Sequence, residues 1–286
     1  MGSVTVITDS SACVPQELAS GLGVATVPLR FNLNGRSYRD GIDIDADEVY
    51  RRLPRLDVLP TTSAPTPSDY YAVLQAVAAH VSDIVVITIS RRFSAAHDSA
   101  LAAAATARDT LGNISVHVVD SGTAAGAQGL VVLEAARAAA RGCAVDDVIA
   151  SAHRVMSRVE LVAFLDTLYY IARSGRVPVA LHYTNAIFRV NPLFMVKPLS
   201  GEARVIRIAR GRASAQRQLL EVVGRRVAGG PLCGIVLHSY CRDEAERLAD
   251  HLKSSFDCRE LHISDFTPAM GIHAGPGVLG LAYYPV

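Results

Sequence analysis

The sequence lacks any apolar run of the length that a membrane-spanning helix requires, so integral membrane association is not expected. Its first residues, MGSVTVITDSS, have no basic region, no apolar stretch of adequate length and no small-residue cleavage site, so they do not form a signal peptide. An N-myristoylation signal needs Ser or Thr at the sixth position, which Val6 occupies. These absences predict a protein of the cytoplasm.

The sequence also has almost no excess of charge of either sign. Its 28 Lys and Arg residues nearly balance 27 Asp and Glu residues, whereas a general nucleic-acid binder needs a basic excess. No nucleic-acid partner is therefore expected.

The five cysteines are scattered and include no C-x-x-C pair, which favours reduced thiols that pack as small apolar side chains.

Motifs that mark common cofactor and metal sites are missing as well. We find no P-loop, no G-x-S-x-G elbow and no H-E-x-x-H, and the nine histidines have no metal-ligand spacing. Gly275 to Gly280 match G-x-G-x-x-G, but too few residues follow to form a helix that could receive a pyrophosphate. We expect neither a metal nor a cofactor.

What the sequence does contain is a large apolar fraction, 50% of 286 residues, enough for two domains or one large one. In the first half, apolar strands alternate with helical segments, which predicts parallel βαβ units and a doubly wound, mostly parallel sheet. In the second half, strands and helices follow an α+β pattern. We therefore predict an α/β domain at 1–155 and an α+β domain at 156–286. The predicted strands are 4–8, 27–33, 84–89, 116–121, 204–208, 234–238, 260–264 and 279–283, and the main helices are 67–80, 95–111, 126–141, 213–227 and 243–256. Asn34-Gly35 predicts a turn after the second strand, and Thr66 with Asp69 resembles a capping box at the start of the first of these helices.

Hydroxyl side chains stand near the start of two predicted helices. Thr62 and Ser63 lie in a loop before one helix, and Ser94 fits the N-cap position of another. Hydroxyls beside the unpaired N–H groups of a helix start can bind an anion. Ordinary helix capping accounts for each of them equally well, so both interpretations stay open.

A second group of residues is an arginine-rich segment. The stretch 202–226 holds seven arginines against two glutamates. A solvated surface is the usual explanation for such a run, and a docking surface for an acidic partner is the alternative.

Taken together, these segments resemble the DegV family over nearly the whole chain. No single motif is decisive, but their order and spacing are specific. The motifs are TDSSA at 8–12, VPL at 27–29, YRDG at 38–41, PTTSAP at 60–65, IS at 89–90, FS at 93–94, VDS at 119–121, SGRV at 174–177, KPL at 197–199 and GIHAGPG at 271–277.

The resemblance implies a long-chain fatty-acid-binding protein rather than an enzyme, holding its ligand in a buried tunnel between the two domains. Some members are the acyl-binding subunit of a bacterial fatty acid kinase, whose separate catalytic subunit phosphorylates the carboxylate. By resemblance, Thr62 and Ser94 bind the carboxylate, with Ser63, His273 and Arg173 nearby, directly or through water. For docking of the kinase subunit we name two residues of the arginine-rich segment, Arg207 and Arg210.

Two departures from the family pattern affect the headgroup region. The family usually reads Ser-Gly-Thr-Tyr where this chain has Ser94-Ala95-Ala96-His97, and often Gly-Gly-Arg where it has Ser174-Gly175-Arg176. His97 either reaches the headgroup or faces solvent. Two rival functions stay open: a hydrolase or transferase with Ser94 as nucleophile and His273 or His97 as base, and a carrier of another amphiphilic lipid.

Overall fold

A computed structural model describes residues 3–112, 114–177 and 190–286 of the chain. The elements of the first half are β1 (Val4–Asp9), α1 (Gln16–Gly21), β2 (Ala25–Val27), β3 (Arg30–Leu33), β4 (Arg36–Arg39), α2 (Ala46–Arg52), β5 (Thr61–Ser63), α3 (Pro67–Ala78), β6 (Asp83–Thr88), α4 (Ala96–Thr110), β7 (Ser115–Asp120), α5 (Ala125–Ala140) and α6 (Val145–Met156). The elements of the second half are β8 (Glu160–Phe164), α7 (Tyr169–Ser174), β9 (Asn191–Val196), β10 (Ala203–Ala209), α8 (Arg212–Val227), β11 (Leu232–His238), α9 (Arg242–Ser255), β12 (Cys258–Asp265), α10 (Pro268–Ala274) and β13 (Leu279–Pro285).

A four-stranded sheet with the order β2-β1-β6-β7 forms the centre of the first half, and its described strand pairs are all parallel. Strands β1 and β6 are rich in β-branched residues and mostly buried because helices cover both faces of a parallel sheet. Helices α3 and α4 pack on one face, and α5 packs on the other. The predicted α/β arrangement is confirmed.

A small antiparallel sheet, β4-β3-β5, lies beside it. The single strand predicted at 27–33 is in fact two strands in different sheets, because the chain leaves the parallel sheet at Pro28, whose nitrogen carries no hydrogen for a strand ladder. The predicted turn at Asn34-Gly35 is confirmed, with φ values of 53° and 80°. The loop predicted before α3 contains strand β5, which pairs with β3.

The second half is built on a six-stranded sheet with the order β10-β9-β8-β13-β11-β12. Only the β11–β12 pair is parallel among its described pairs, so this half is α+β as predicted. Helices α8 and α9 cover one face, and α5 packs against part of the other. One apolar cluster joins α5 to both large sheets, and the division of the chain at residue 155 stays a prediction.

Besides β5, five elements are absent from the sequence-based prediction: α6, β8, α7, β9 and α10. Strand β9 has Pro192 as its second residue, and proline in a sequence argues against a central strand. Helix α10 has seven residues with Pro268 at its start and Gly271 inside, too few for a helical period to show. Both elements contribute to the cavity described next. Within the described ranges, no helix combines the length and the apolar character needed to cross a bilayer.

Candidate ligand-binding site

A cavity of about 510 Å³ lies between the parallel sheet and the six-stranded sheet. The loop after β6 and the start of α5 form one wall, and β8 and β9 form another. Helices α7 and α10 and strand β5 complete it. Twenty of the 28 lining residues are apolar, among them Phe93, Phe194 and Phe266, so most of this main cavity suits a hydrocarbon. Pockets that enclose small ligands have about 300–1,000 Å³.

The remaining lining residues give the main cavity a polar, basic region. They are Thr62, Ser63, Arg91, Arg92, Ser94, Ser174, Arg176 and His273. Among the described residues that line the main cavity, none is acidic. An apolar space with hydroxyl donors and guanidinium groups on its wall suits a ligand with a hydrocarbon tail and an anionic head.

Thr62 and His273 meet at this polar region, where the Thr62 Oγ1 and His273 Nε2 atoms lie 2.6 Å apart. Thr62 is the central residue of β5 and pairs with Phe31 of β3, which fixes its direction. His273 lies in the last turn of α10. The two residues are 211 positions apart in the chain, yet the structure brings them together as the family resemblance implies.

Helix α10 is held in place by two buried residues from the region of the small antiparallel sheet, Asp40 after β4 and Tyr50 in α2. Asp40 Oδ1 accepts a hydrogen bond from the Ala269 N–H at 2.9 Å, and the Tyr50 hydroxyl donates to the Phe266 carbonyl oxygen. Burial raises the pKa of the Asp40 carboxyl, while hydrogen bonds from Ser10 and Ala269 oppose that rise. The position of His273 therefore depends on the packing of α10 against the region of the small antiparallel sheet, which also carries Thr62.

The pKa of His273 is lowered to about 4, mainly by burial and further by the positive charge of Arg176. At neutral pH the imidazole is therefore uncharged and has one N–H group. If Nε2 carries that hydrogen, it donates to the Thr62 oxygen, and the Thr62 hydroxyl hydrogen is free to donate to a ligand. His273 is thus a neutral hydrogen-bond partner of Thr62, and it supplies no charge of its own.

Ser94 lines the main cavity. The sequence predicts it to be the N-cap of α4, and this prediction is wrong. The N-cap is Ala95, and Ser94 lies one residue earlier. Its Oγ accepts a hydrogen bond from the Ala96 N–H at 3.2 Å, a local turn that serine commonly forms. The hydroxyl hydrogen stays available to an anion in the cavity. Ser63, next to Thr62 on β5, lines the same cavity.

Arg173 does not line the main cavity. It is exposed, and its guanidinium carbon lies 3.9 Å from the centre of the Tyr169 ring. It borders a neighbouring outer pocket, which shares Thr62, Ser174, Arg176 and His273 with the main cavity. Arg176 lines both spaces because Gly175, with a φ of 69°, ends α7 and turns the chain back toward them. The Ser174-Gly175-Arg176 motif was the available signal for this residue.

His97 neither lines the main cavity nor faces solvent, so both sequence-based expectations for it are wrong. It is buried, with its Nδ1 atom 3.1 Å from Thr88 Oγ1, and burial lowers its pKa. Of the two bases proposed for a Ser94 nucleophile, His97 contacts Thr88 and His273 contacts Thr62. In the described part of the chain, neither histidine is hydrogen-bonded to Ser94, so the nucleophile–base contact of a hydrolase is not formed.

The arginine-rich segment is partly neutralised by ion pairs. Arg207 Nη1 lies 2.7 Å from Glu221 Oε2, and Arg204, Arg212 and Arg226 also have acidic partners. Arg210 is exposed, and within the described ranges it has no ion pair. It directly follows β10, whose last residue pairs with Asn191 at the start of β9. In the described residues, no group of three His, Cys, Asp or Glu side chains is arranged to hold a metal ion.

The comparisons with known proteins agree along the whole chain. A model of the DegV family, described as uncharacterised proteins, matches residues 3–286. A DegV domain-containing protein of Clostridium perfringens is 30% identical over 282 residues, which are 98% of each chain. A DegV family structure from Thermus thermophilus, described as fatty acid binding, has a TM-score of 0.91 at 27% identity and covers 99% of this chain and 100% of that one. The structure of DegV from Bacillus subtilis, also described as a fatty acid binding protein, has a TM-score of 0.87 at 24% identity, covers 100% of both chains and shares the fold.

Proposed function

Because the chain belongs to the DegV family, we propose that it binds one long-chain fatty acid, with the tail in the main cavity and the carboxylate between Thr62 and Ser94. The observation that carries the proposal is the lining of that cavity, which is mostly apolar with a single basic and hydroxyl-bearing region. The similar Thermus thermophilus protein is described as fatty acid binding, which supports the same ligand class here.

The apolar wall accounts for tail binding. Moving a methylene group from water into such a wall gains about 0.8 kcal/mol, so ten methylenes gain on the order of 8 kcal/mol. Ordering a flexible chain offsets part of that gain. A tail of ten methylenes alone therefore gives a dissociation constant weaker than about 1 μM, and longer tails and the head contacts tighten it.

The polar region accounts for head binding. An ionised carboxylate is costly to bury without donors, and two hydroxyl groups and the Arg176 guanidinium line the wall where it would lie. Since His273 is neutral at pH 7, Arg176 is the nearby group that supplies positive charge on the α7 side. This assignment replaces the expectation that Arg173 does so.

The first test is native mass spectrometry of the purified protein, extended by gas chromatography of the extracted lipid. We expect one co-purified fatty acid per chain. The double variant Thr62→Ala, Ser94→Ala should weaken binding by about 1.5–3 kcal/mol for each lost hydrogen bond to the charged head. A protein that neither carries nor takes up a fatty acid would contradict the proposal, and an extracted isoprenoid or other amphiphile would replace the ligand class.

We further propose that the protein presents its bound acid to a fatty acid kinase subunit, which phosphorylates the carboxylate. The chain has no P-loop of its own, so the phosphoryl chemistry belongs to the partner. Arg210 lies where β10 ends, beside the start of β9, and the Asn191 Nδ2 atom there donates to the Leu165 carbonyl oxygen at 3.0 Å. Leu165 lines the main cavity and directly precedes the segment that leads into α7. An acidic partner bound at Arg210 would therefore stand near the part of the main cavity that Leu165 lines.

The test of presentation compares two charge reversals. Arg210→Glu should lower acyl-phosphate formation by an added kinase subunit and leave fatty acid affinity unchanged. Arg225→Glu is the matched control, since Arg225 lies in the last turn of α8, about 20 Å along the helix from Arg212. We prefer Arg210 to Arg207 because reversing Arg207 would also place like charges beside Glu221. Equal acyl-phosphate formation by the two variants would reject docking at Arg210.

A further inference from the structure

The loop that carries Ser94 is held by hydrogen bonds along its whole length. Every backbone N–H group from Ile89 to Ser94 has an acceptor inside the protein. The Ile89 N–H donates to Asp9 Oδ2 at 2.9 Å, and the Ser94 N–H donates to the Ser90 carbonyl oxygen at 3.3 Å. The loop therefore offers a ligand the Ser94 hydroxyl rather than these N–H groups, and the position of that hydroxyl depends on the acceptors that hold the loop.

One of these acceptors, Asp9, is a fully buried carboxyl group at the end of β1. Its Oδ1 atom accepts a hydrogen bond from the Ser11 N–H at 3.2 Å, while its Oδ2 atom holds the Ile89 N–H. Burial raises the pKa of this carboxyl, and hydrogen bonds from Ser11 and Ile89 oppose that rise. Asp9 therefore ties the end of β1 to the start of the loop that carries Ser94.

Ser10, the next residue, ties the same strand end to the region of the small antiparallel sheet. Its Oγ atom accepts a hydrogen bond from the Leu29 N–H at 3.0 Å and donates to Asp40 Oδ2 at 2.6 Å. The Asp40 N–H in turn donates to the Leu29 carbonyl oxygen at 2.8 Å. Ser10 thus fixes two segments of that region at once.

Both of these segments lead to the second half of the polar region. Leu29 directly precedes β3, and Phe31 of that strand pairs with Thr62. Asp40 holds the first turn of α10, which carries His273 in its last turn. Two adjacent residues at the end of β1 therefore hold the two sides of the site, one through the Ser94 loop and the other through β3 and α10.

We propose that Asp9 and Ser10 are positioning residues that set the spacing between the Ser94 and Thr62 hydroxyl groups. Neither residue lines the main cavity, so each acts through the element that it holds and not on the ligand itself. Groups that bind a small charged head must be held in place by hydrogen bonds behind them, because a small displacement weakens the contact. This inference rests on the proposed function, since it explains what holds the two groups that bind the head.

The test compares a long-chain acid with the alcohol of the same tail by isothermal titration calorimetry. Ser10→Ala should lower affinity for the acid on the order of 30-fold and for the alcohol only about fivefold, because a hydrogen bond to a charged head contributes more. A residue with a merely structural role would change both affinities by the same factor. Ser10→Thr keeps the hydroxyl group and should restore the affinity for the acid. Ser20→Ala is the matched control, because Ser20 is exposed on α1 and its side chain forms no hydrogen bond within the described ranges.

Double variants assign each positioning residue to its own hydroxyl group. In a Thr62→Val background, Ser10→Ala should lower affinity for the acid little further, because the group that it positions is already gone, whereas in Ser94→Ala it should keep its effect. Asp9→Asn should show the opposite dependence, since an amide has one acceptor oxygen and leaves one of the two N–H groups that Asp9 holds without a partner. If Asp9→Asn does not fold, as judged by circular dichroism, Ser11→Ala makes the same test by removing a hydroxyl that donates to the Asp9 carboxyl.

The outcomes separate the two proposals. If Ser10→Ala changes neither affinity, lowers both by the same factor or adds its full effect to that of Thr62→Val, the positioning role is overturned and fatty acid binding stays intact. An unchanged protein that does not bind the acid would overturn the proposed function itself.

Discussion

The contact between Thr62 and His273 predicts that removing the Thr62 hydroxyl group strongly lowers the affinity for a long-chain acid. Thr62→Val replaces the hydroxyl with a methyl group and keeps the β-branched shape that suits strand β5. The variant loses the donor that would bind the carboxylate. A hydrogen bond to a charged group contributes about 1.5–3 kcal/mol, so affinity for a long-chain acid should fall roughly 10- to 150-fold.

A second consequence concerns the partner left behind. His273 Nε2 lies 2.6 Å from the Thr62 oxygen, and no hydroxyl replaces it in Thr62→Val. Leaving a buried polar group unpaired costs about 1–3 kcal/mol, so the free energy of unfolding of the ligand-free protein should also decrease. Urea unfolding at pH 7 measures this loss separately from the loss in affinity.

The matched control is Thr61→Val, which makes the same chemical change on the neighbouring residue of β5. Thr61 is exposed and does not line the main cavity. Calorimetry with one long-chain acid at pH 7 should show a loss for Thr62→Val alone. The corresponding fatty alcohol has an uncharged head, so Thr62→Val should cost it only about 0.5–1.5 kcal/mol. Equal affinities of the two valine variants for the acid would refute the head assignment.

Two predictions concern stability. The pKa of His273 is about 4 in the folded protein against about 6.5 in the unfolded chain, so the unfolded state binds more protons between these values. The free energy of unfolding should therefore fall as the pH drops from 6.5 to 4, by about 2 kcal/mol at pH 5 from this residue, and urea curves of His273→Gln should lack that part of the decrease. Gly271→Ala should lower the free energy of unfolding by about 1–3 kcal/mol, because the new methyl group would overlap the Tyr50 ring. Gly21→Ala is the control, since nothing lies within 4 Å of its new methyl group, and it should not destabilise the protein. Similar unfolding midpoints for the two alanine variants would contradict the packing described for α10.

Much of the fold could be predicted because local patterns and tertiary structure agree. Strand β6 is a run of apolar β-branched residues, and α3 begins with the predicted capping box, in which Thr66 and Asp69 bond to each other's backbone N–H groups. The missed elements have reasons of their own. Pro192 and Gly271 contradict local propensity, and only packing in the assembled protein overrides them. Helix α6 is different, since its apolar residues recur at helical spacing and the pattern was readable.

The site was predicted less completely than the fold. Thr62, Ser63, Ser94 and His273 line one cavity, as the family resemblance implies. The arginine that lines the cavity is Arg176 and not Arg173 because the chain turns at Gly175 in a left-handed conformation. Glycine can adopt this conformation, but the sequence alone does not show that it does. The cavity wall that β8 and β9 form could not be predicted, because local patterns do not reveal these two strands.

The position of β13 has a consequence for how the protein is made. This strand, formed by Leu279–Pro285, lies between β8 and β11 in the interior of the six-stranded sheet, although it is the last strand in the chain. During synthesis, the strands β8 to β10 therefore have no neighbour on their β8 side until residue 285 has left the ribosome. The sheet that forms one wall of the main cavity is therefore completed only once β13 is available to pair with β8.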